Sequence, residues 1–185
     1  MSDYHNLMTT TYSNFVAGLF TKPDSIPERL AHAAVGIIGE VVELRHAGDR
    51  DEQLEELGDI RFYIQAAFNQ FPDAEITRIG GLAMKLPVGY DLHHASERLL
   101  EEAGNFLDLS KKTWIYGKPL EALHSTAMLV SLYQLRILLS TVANFYGFTL
   151  KDLDRSNRVK LIKRYPGGSY SDTAAQARAD KQEGQ

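Results

Sequence analysis

The sequence predicts an all-α protein. Apolar residues recur at helical spacing in nearly every segment between glycine and proline breaks, while strand-like alternation is weak throughout. Helix-start residues stand where several of those periodic segments begin. A first short helix covers Tyr12 to Phe20 and stops before Lys22-Pro23. The second starts at Ser25, which has capping-box spacing to Glu28 and is followed by Pro27 in the first turn. It runs to His46 and ends at Gly48. The third begins near Asp51 and continues through "LEELGDIRFYIQAAFNQF" to Pro72. These two form a hairpin. After a looser region around Gly80, Gly81, Pro87 and Gly89, a long helix runs from Asp91 through "HHASERLLEEAGNFLDLSKK" and breaks near Gly117-Lys118-Pro119. The next, Leu120 to Tyr146, is strongly apolar in "AMLVSLYQLRILLSTVANF" and belongs at the centre of the packing. Thr149 opens a last amphipathic helix, "LKDLDRSNRVKLIKRY". The tail "PGGSYSDTAAQARADKQEGQ" lies over the surface.

With 185 residues, 44% of them apolar, the chain suits one domain with a sizeable core. A formal charge of -4 and a pI near 5.9 give no basic field of the kind that drives nucleic-acid binding. Without cysteine, disulfides and thiolate metal sites are excluded. The start "MSDYHNLMTTTYSNF" lacks the basic residues and apolar run of a signal peptide. No segment is expected to approach a membrane span of about 20 apolar residues. The expectation is a soluble cytoplasmic protein whose partners are neither nucleic acid nor membrane.

The chemistry is concentrated in "GEVVELRHAGDRDEQLEELGD". Residues three apart share a helix face, so Glu40 and Glu43 converge, as do Glu56 and Asp59. A tight hairpin brings all four together, and such crowding is unfavourable without a neutralising cation. A divalent ion held by oxygen ligands, Mg²⁺ or Mn²⁺, meets that need. The competing reading is a solvated acidic face like that of Asp49, Asp51, Glu52 and Glu55. Against it, Glu40 and Asp59 sit in apolar segments, "VGIIGEVVEL" and "ELGDIRFYI", where an unpartnered carboxylate is costly. His32, Gly36, Glu40 and Glu43 form one helical stripe, and Gly36 and Gly39 would leave room for a ligand.

A faint repeat relates the two hairpins. "GEVVEL" resembles "GNFLDL", which sets Asn105 opposite Glu40 and Asp108 opposite Glu43. The helix that follows offers only Ser131 and Gln134, in "MLVSLYQL", where the first hairpin has its Glu-x-x-Asp pair. Chance similarity between amphipathic helices is the alternative.

"HAAVGIIGEVVEL" followed by "EELGDIRFYI" resembles the MazG-type all-alpha nucleoside triphosphate pyrophosphohydrolases, whose signature is a Glu-x-x-Glu helix facing a Glu-x-x-Asp helix. "NRVKLIKRYPGGSYSDTAAQARADK", "KKTWIYGKPL" and "YSNFVAGLFTKPDSIPERLAHAAVG" are similar to segments of a MazG-like group often encoded by phages. The chain departs from the pattern at Asn105, where the family has a glutamate, and at Gly39, the first place of the fuller Glu-Glu-x-x-Glu form. The resemblance implies a single MazG-like helical bundle over 1–185, and the repeat, if real, would make it two fused hairpins. The metal-binding hairpin would span 24–72, a degenerate second hairpin with the C-terminal helix 91–165, and the tail 166–185. The dimeric dUTPases of the same superfamily look similarly duplicated.

The resemblance further implies Mg²⁺-dependent hydrolysis of a nucleoside triphosphate to the monophosphate and pyrophosphate, with Mn²⁺ as a substitute. The substrate would be a deoxynucleotide such as dUTP, dCTP or dGTP. Glu40, Glu43, Glu56 and Asp59 would serve the metals and catalysis. Asn157, Lys160 and Arg164 share one face of the last helix and, with Tyr165, would contact the nucleotide; an ordinary amphipathic helix end is the alternative. Lys111 and Lys112 are weaker candidates. Base recognition could use His32, Tyr63 or Trp114. A homodimer or homotetramer is expected. Two other classes compete. Glu43 with His46 and Glu121 with His124 spell the Glu-x-x-His of di-iron or di-manganese bundles, although both lie near helix ends. A non-catalytic nucleotide-binding or assembly module is the other.

Overall fold

A computed structural model describes residues 2–81 and 90–177, and the predicted loop positions Pro87 and Gly89 and the tail beyond 177 lie outside them. Among the described residues every element is a helix: α1 (Ser2–Thr9), α2 (Tyr12–Leu19), α3 (Ile26–Leu44), α4 (Arg50–Phe68), α5 (Asp73–Gly80), α6 (Leu92–Trp114), α7 (Ala122–Phe145), α8 (Leu150–Arg164) and α9 (Asp172–Ala177). The all-α expectation holds.

Side-chain caps set the starts of the long helices. Ser25 accepts from the Glu28 amide and its hydroxyl donates back to the Glu28 carboxylate at 2.6 Å. Asp49, not Asp51, caps α4, accepting from the amides of Asp51 and Glu52, both at 2.9 Å. Asp91 caps α6, and Thr149 with Asp152 forms a complete capping box at α8. Two helices depart from the sequence expectation. α1 is too polar to show a period, yet its Leu7 and Met8 pack against the core. α5 begins directly after Pro72 and buries only Ile79, so its apolar pattern is too thin to read.

α3 and α4 form one antiparallel hairpin and α6 and α7 another. The pairs close into a four-helix bundle in which α3 packs on α6 and α4 on α7. Arg45 at the end of α3 pairs with Glu97 near the start of α6, at 2.8 Å, which marks those two as antiparallel. α7 is the core helix, with Met128, Leu129, Leu132, Leu135 and Leu139 fully buried. By length and composition alone it could cross a membrane, with a mean hydropathy of 1.4, contrary to the expectation that no segment comes close. Its apolarity is accounted for by the bundle interior, since 56% of that window is buried.

α8 lies outside the bundle against α4. Gly58 makes their close crossing possible, because a Cβ there would stand 3.3 Å from Asn157 Cβ and 3.5 Å from the Leu153 carbonyl. α2 is fastened to α4 beside α8, where its Tyr12 reaches Asn157. Ser13 Oγ donates to Asn69 at 2.7 Å, while Asn69 donates to the Ser13 carbonyl and Arg61 and Gln65 continue the polar ladder along α4. Helices α2, α3, α4 and α8 thereby enclose one hollow.

Candidate active site

That hollow is a cavity of about 460 Å³. Its wall includes His32, Glu40, Glu43, Glu56, Asp59, Tyr63, Asn157, Lys160, Arg164 and Tyr165 of the residues singled out from the sequence, but not Trp114, Lys111 or Lys112. α3 contributes His32, Glu40 and Glu43 from one stripe, α4 contributes Glu56 and Asp59, and the end of α8 brings the cations across from the acids.

Glu40, Glu43 and Glu56 each place one carboxylate oxygen within 4.8 Å of the others. Asp59 stands slightly apart from this triad. One of its oxygens accepts from Asn157 Nδ2 at 2.8 Å, and the other is held by Lys160 Nζ. Lys160 also reaches Glu55 at 2.8 Å. Its side chain is only 14% exposed, so it is a desolvated cation between two acids. Burial alone would pull the Lys160 pKa down, but the Asp59 charge and the bonds to Asp59 and Glu55 outweigh it and push it up.

The triad carries the opposite stress. Burial, followed by the charge of Asp59 and a hydrogen bond to Glu56, pushes the Glu40 carboxyl up to about 8. Burial also raises Glu56, against the lowering effect of its bond from Glu40. Both carboxyls are thereby held toward their protonated forms, with a hydrogen bond between them. An all-oxygen set under this repulsion fits a hard divalent cation, which would displace the proton.

Beyond the acids the cavity is aromatic. His32 stacks on Phe20 with ring centroids 4.8 Å apart, and Tyr63 stands edge-on to Phe20 and Phe62. Tyr165 and Tyr170 form a second aromatic wall, 5.8 Å between centroids. Burial, then the nearby Glu40 and Asp59 charges, push the Tyr63 hydroxyl up to about 12, so it stays a neutral hydrogen-bond group.

Several expectations are corrected. Gly36 does not leave room for a ligand: a Cβ there would be 2.6 Å from the Tyr63 ring, so the glycine seats that tyrosine. Gly39 is exposed, with no neighbour within 4 Å of its Cβ position. Trp114 is half exposed at the end of α6, away from the cavity, and Lys111 and Lys112 both pair with Asp108. The tail is more than a surface cover, since Tyr170 and Ala175 line the cavity. The Glu-x-x-His pairs do not assemble. His46 bonds the Val42 carbonyl, His124 is buried against Thr113, and the metal-capable group among the described residues contains no histidine.

Glu55, grouped from the sequence with a solvated acidic face, and the aromatic pair Phe20 and Phe62 are site residues that the sequence analysis misses. Glu55 lies one turn before Asp59 and could have been picked by its i, i+4 spacing. Phe20 and Phe62 pass for ordinary core residues.

Of the repeat-related positions of the second hairpin, Asn105, Ser131 and Gln134 also converge, without forming a second acidic site, while Asp108 turns to Lys111 and Lys112. Glu102, buried to 5% exposure, accepts from Ser131 Oγ at 2.5 Å and Asn105 Nδ2 at 3.3 Å. Gln134, with its amide nitrogen turned inward, adds bonds at 2.9 and 3.2 Å. Neutral donors there surround one carboxylate where the first hairpin gathers four. Compared with known proteins, the chain matches no family model, no characterised protein and no solved structure.

Proposed function

We propose that this chain hydrolyses a nucleoside triphosphate to the monophosphate and pyrophosphate, using Mg²⁺ or, in its place, Mn²⁺. A deoxynucleotide such as dUTP, dCTP or dGTP is the proposed substrate, as the MazG-type resemblance implies. The observation that carries the reading is the meeting of the carboxylate triad with Lys160 and Arg164 in one cavity that also has aromatic walls. A triphosphate needs all three: hard cations, cationic side chains and a surface for a base.

Glu40, Glu43 and Glu56 would hold the metal, with Asp59 beside them. When bound, the ion offsets phosphate charge and lowers the pKa of water. The residues of the chain do the rest. Lys160 and Arg164 face the acids and accept the phosphates, Lys160 exchanging its carboxylate partners for phosphate oxygens. Asn157 steadies Asp59, and His32, Tyr63 and Tyr165 flank the base. Water adds to phosphorus as the anhydride oxygen leaves with pyrophosphate, and one carboxylate of the cluster, Glu40 by preference, takes the water's proton. A homodimer or homotetramer is proposed as the working form, and sedimentation of active protein as one strictly monomeric species would refute it.

The test is a panel of ribo- and deoxynucleoside triphosphates incubated with Mg²⁺ or Mn²⁺ and assayed for pyrophosphate. Release from at least one is expected. Binding without release from any of them would replace this reading with that of a nucleotide-binding module.

A further inference from the structure

Tyr12, on α2, belongs to no part of the chemistry described so far. It is buried at 8% exposure, and its hydroxyl donates to Asn157 Oδ1 at 2.9 Å. Asn157, buried at 2% exposure, donates through Nδ2 to Asp59 Oδ1 at 2.8 Å. An amide has one accepting and one donating end. A donor on its oxygen therefore commits its nitrogen to Asp59, and Lys160 occupies the other carboxylate oxygen.

The tyrosine is itself fixed from both sides. Arg61 lies over its ring at 4.9 Å and is anchored by Asp154 at 3.0 Å. Arg158 lies at 5.4 Å and donates to the Leu7 and Thr10 carbonyls at 2.7 and 2.8 Å. Burial holds the phenol far above its ordinary pKa, so it remains a donor. Packing alone would be met by phenylalanine, yet here a buried hydroxyl is linked through Asn157 to a site acid.

We propose that Tyr12 is a positioning residue: its hydroxyl fixes the Asn157 amide, which orients Asp59 toward the metal-binding triad. This rests on the proposed metal site and names a determinant of its affinity. In Tyr12→Phe the ring and its arginine contacts stay, while Asn157 Oδ1 loses its buried donor and the amide is free to shift.

The experiment measures Mn²⁺ binding to the full chain by calorimetry, alongside triphosphate turnover and helicity. Tyr12→Phe is expected to keep its helicity and to bind Mn²⁺ about tenfold more weakly, the usual cost of losing such outer support. In an Asp59→Asn background the same change should cost nothing further. Phe15→Leu, beside Tyr12 but without a hydroxyl, should lower the melting temperature and leave Mn²⁺ affinity unchanged. Wild-type affinity in Tyr12→Phe, or an equal loss with and without Asp59, overturns the proposal while leaving the hydrolase reading intact. The expected coupling in a protein that hydrolyses no triphosphate sinks the hydrolase reading alone. A wild-type chain that takes no Mn²⁺ overturns both.

Discussion

Glu40 is where burial and charge conflict most openly. Between its ordinary value of 4.5 and about 8, the folded chain keeps a proton that the unfolded chain releases. Its contribution to stability is therefore full below that ordinary value and is lost as pH rises through about 8. Thermal unfolding of metal-free protein should show a melting temperature that falls between about pH 4.5 and about pH 8, and Mg²⁺ should restore more of it at the upper end. Glu40→Gln should flatten this slope, and an unchanged slope would remove Glu40 as its source. The acids themselves were legible in the sequence because i, i+3 spacing is local. The detachment of Asp59 from the triad was not. It depends on Lys160 and Asn157, roughly a hundred positions away, at |i−j| of 101 and 98, and on Tyr12 beyond them.

Among the elements, α8 decides whether cations face the acids at all. Its start is secured by the Thr149–Asp152 box, and its close crossing of α4 depends on Gly58. Gly58→Leu would drive a side chain into Asn157 and the Leu153 backbone, with an overpacking cost of about 1–3 kcal/mol. Because the helix that must retreat carries Asn157 and Lys160, turnover should fall at temperatures where circular dichroism still reports a folded bundle. Turnover that simply tracks the folded fraction would show that the crossing has no catalytic consequence. Caps and breaks made the long helices readable, since each is a local hydrogen-bonding problem with a local solution. The helices α1 and α5 escaped because tertiary contacts, more than their own pattern, support them. The sequence suggests ligand space at Gly36 because the ring that fills it, Tyr63, lies across a helix pair and is not written beside it.

As a whole, the molecule is two helical hairpins closed into one bundle, with the chemistry gathered at one of them. The repeat seen faintly in "GEVVEL" and "GNFLDL" gains meaning from the convergence of Asn105, Ser131 and Gln134 on Glu102. A carboxylate already supplied with neutral donors has no need of a metal. Glu102→Gln should consequently destabilise the fold, by about 1–3 kcal/mol in denaturant unfolding, without altering Mn²⁺ binding. A loss of Mn²⁺ affinity would mean that the second hairpin is part of the site. The proposed role of the first hairpin's acids is narrower: they would handle a triphosphate. Its most direct test is pyrophosphate release, with Mg²⁺, by the wild-type chain beside Glu43→Gln and Asp59→Asn, all three checked for equal helicity. Release by the wild type is expected, with a fall of at least about 100-fold in either variant, the scale of losing a charge-stabilising group at a reacting centre. Equal release by all three would contradict it.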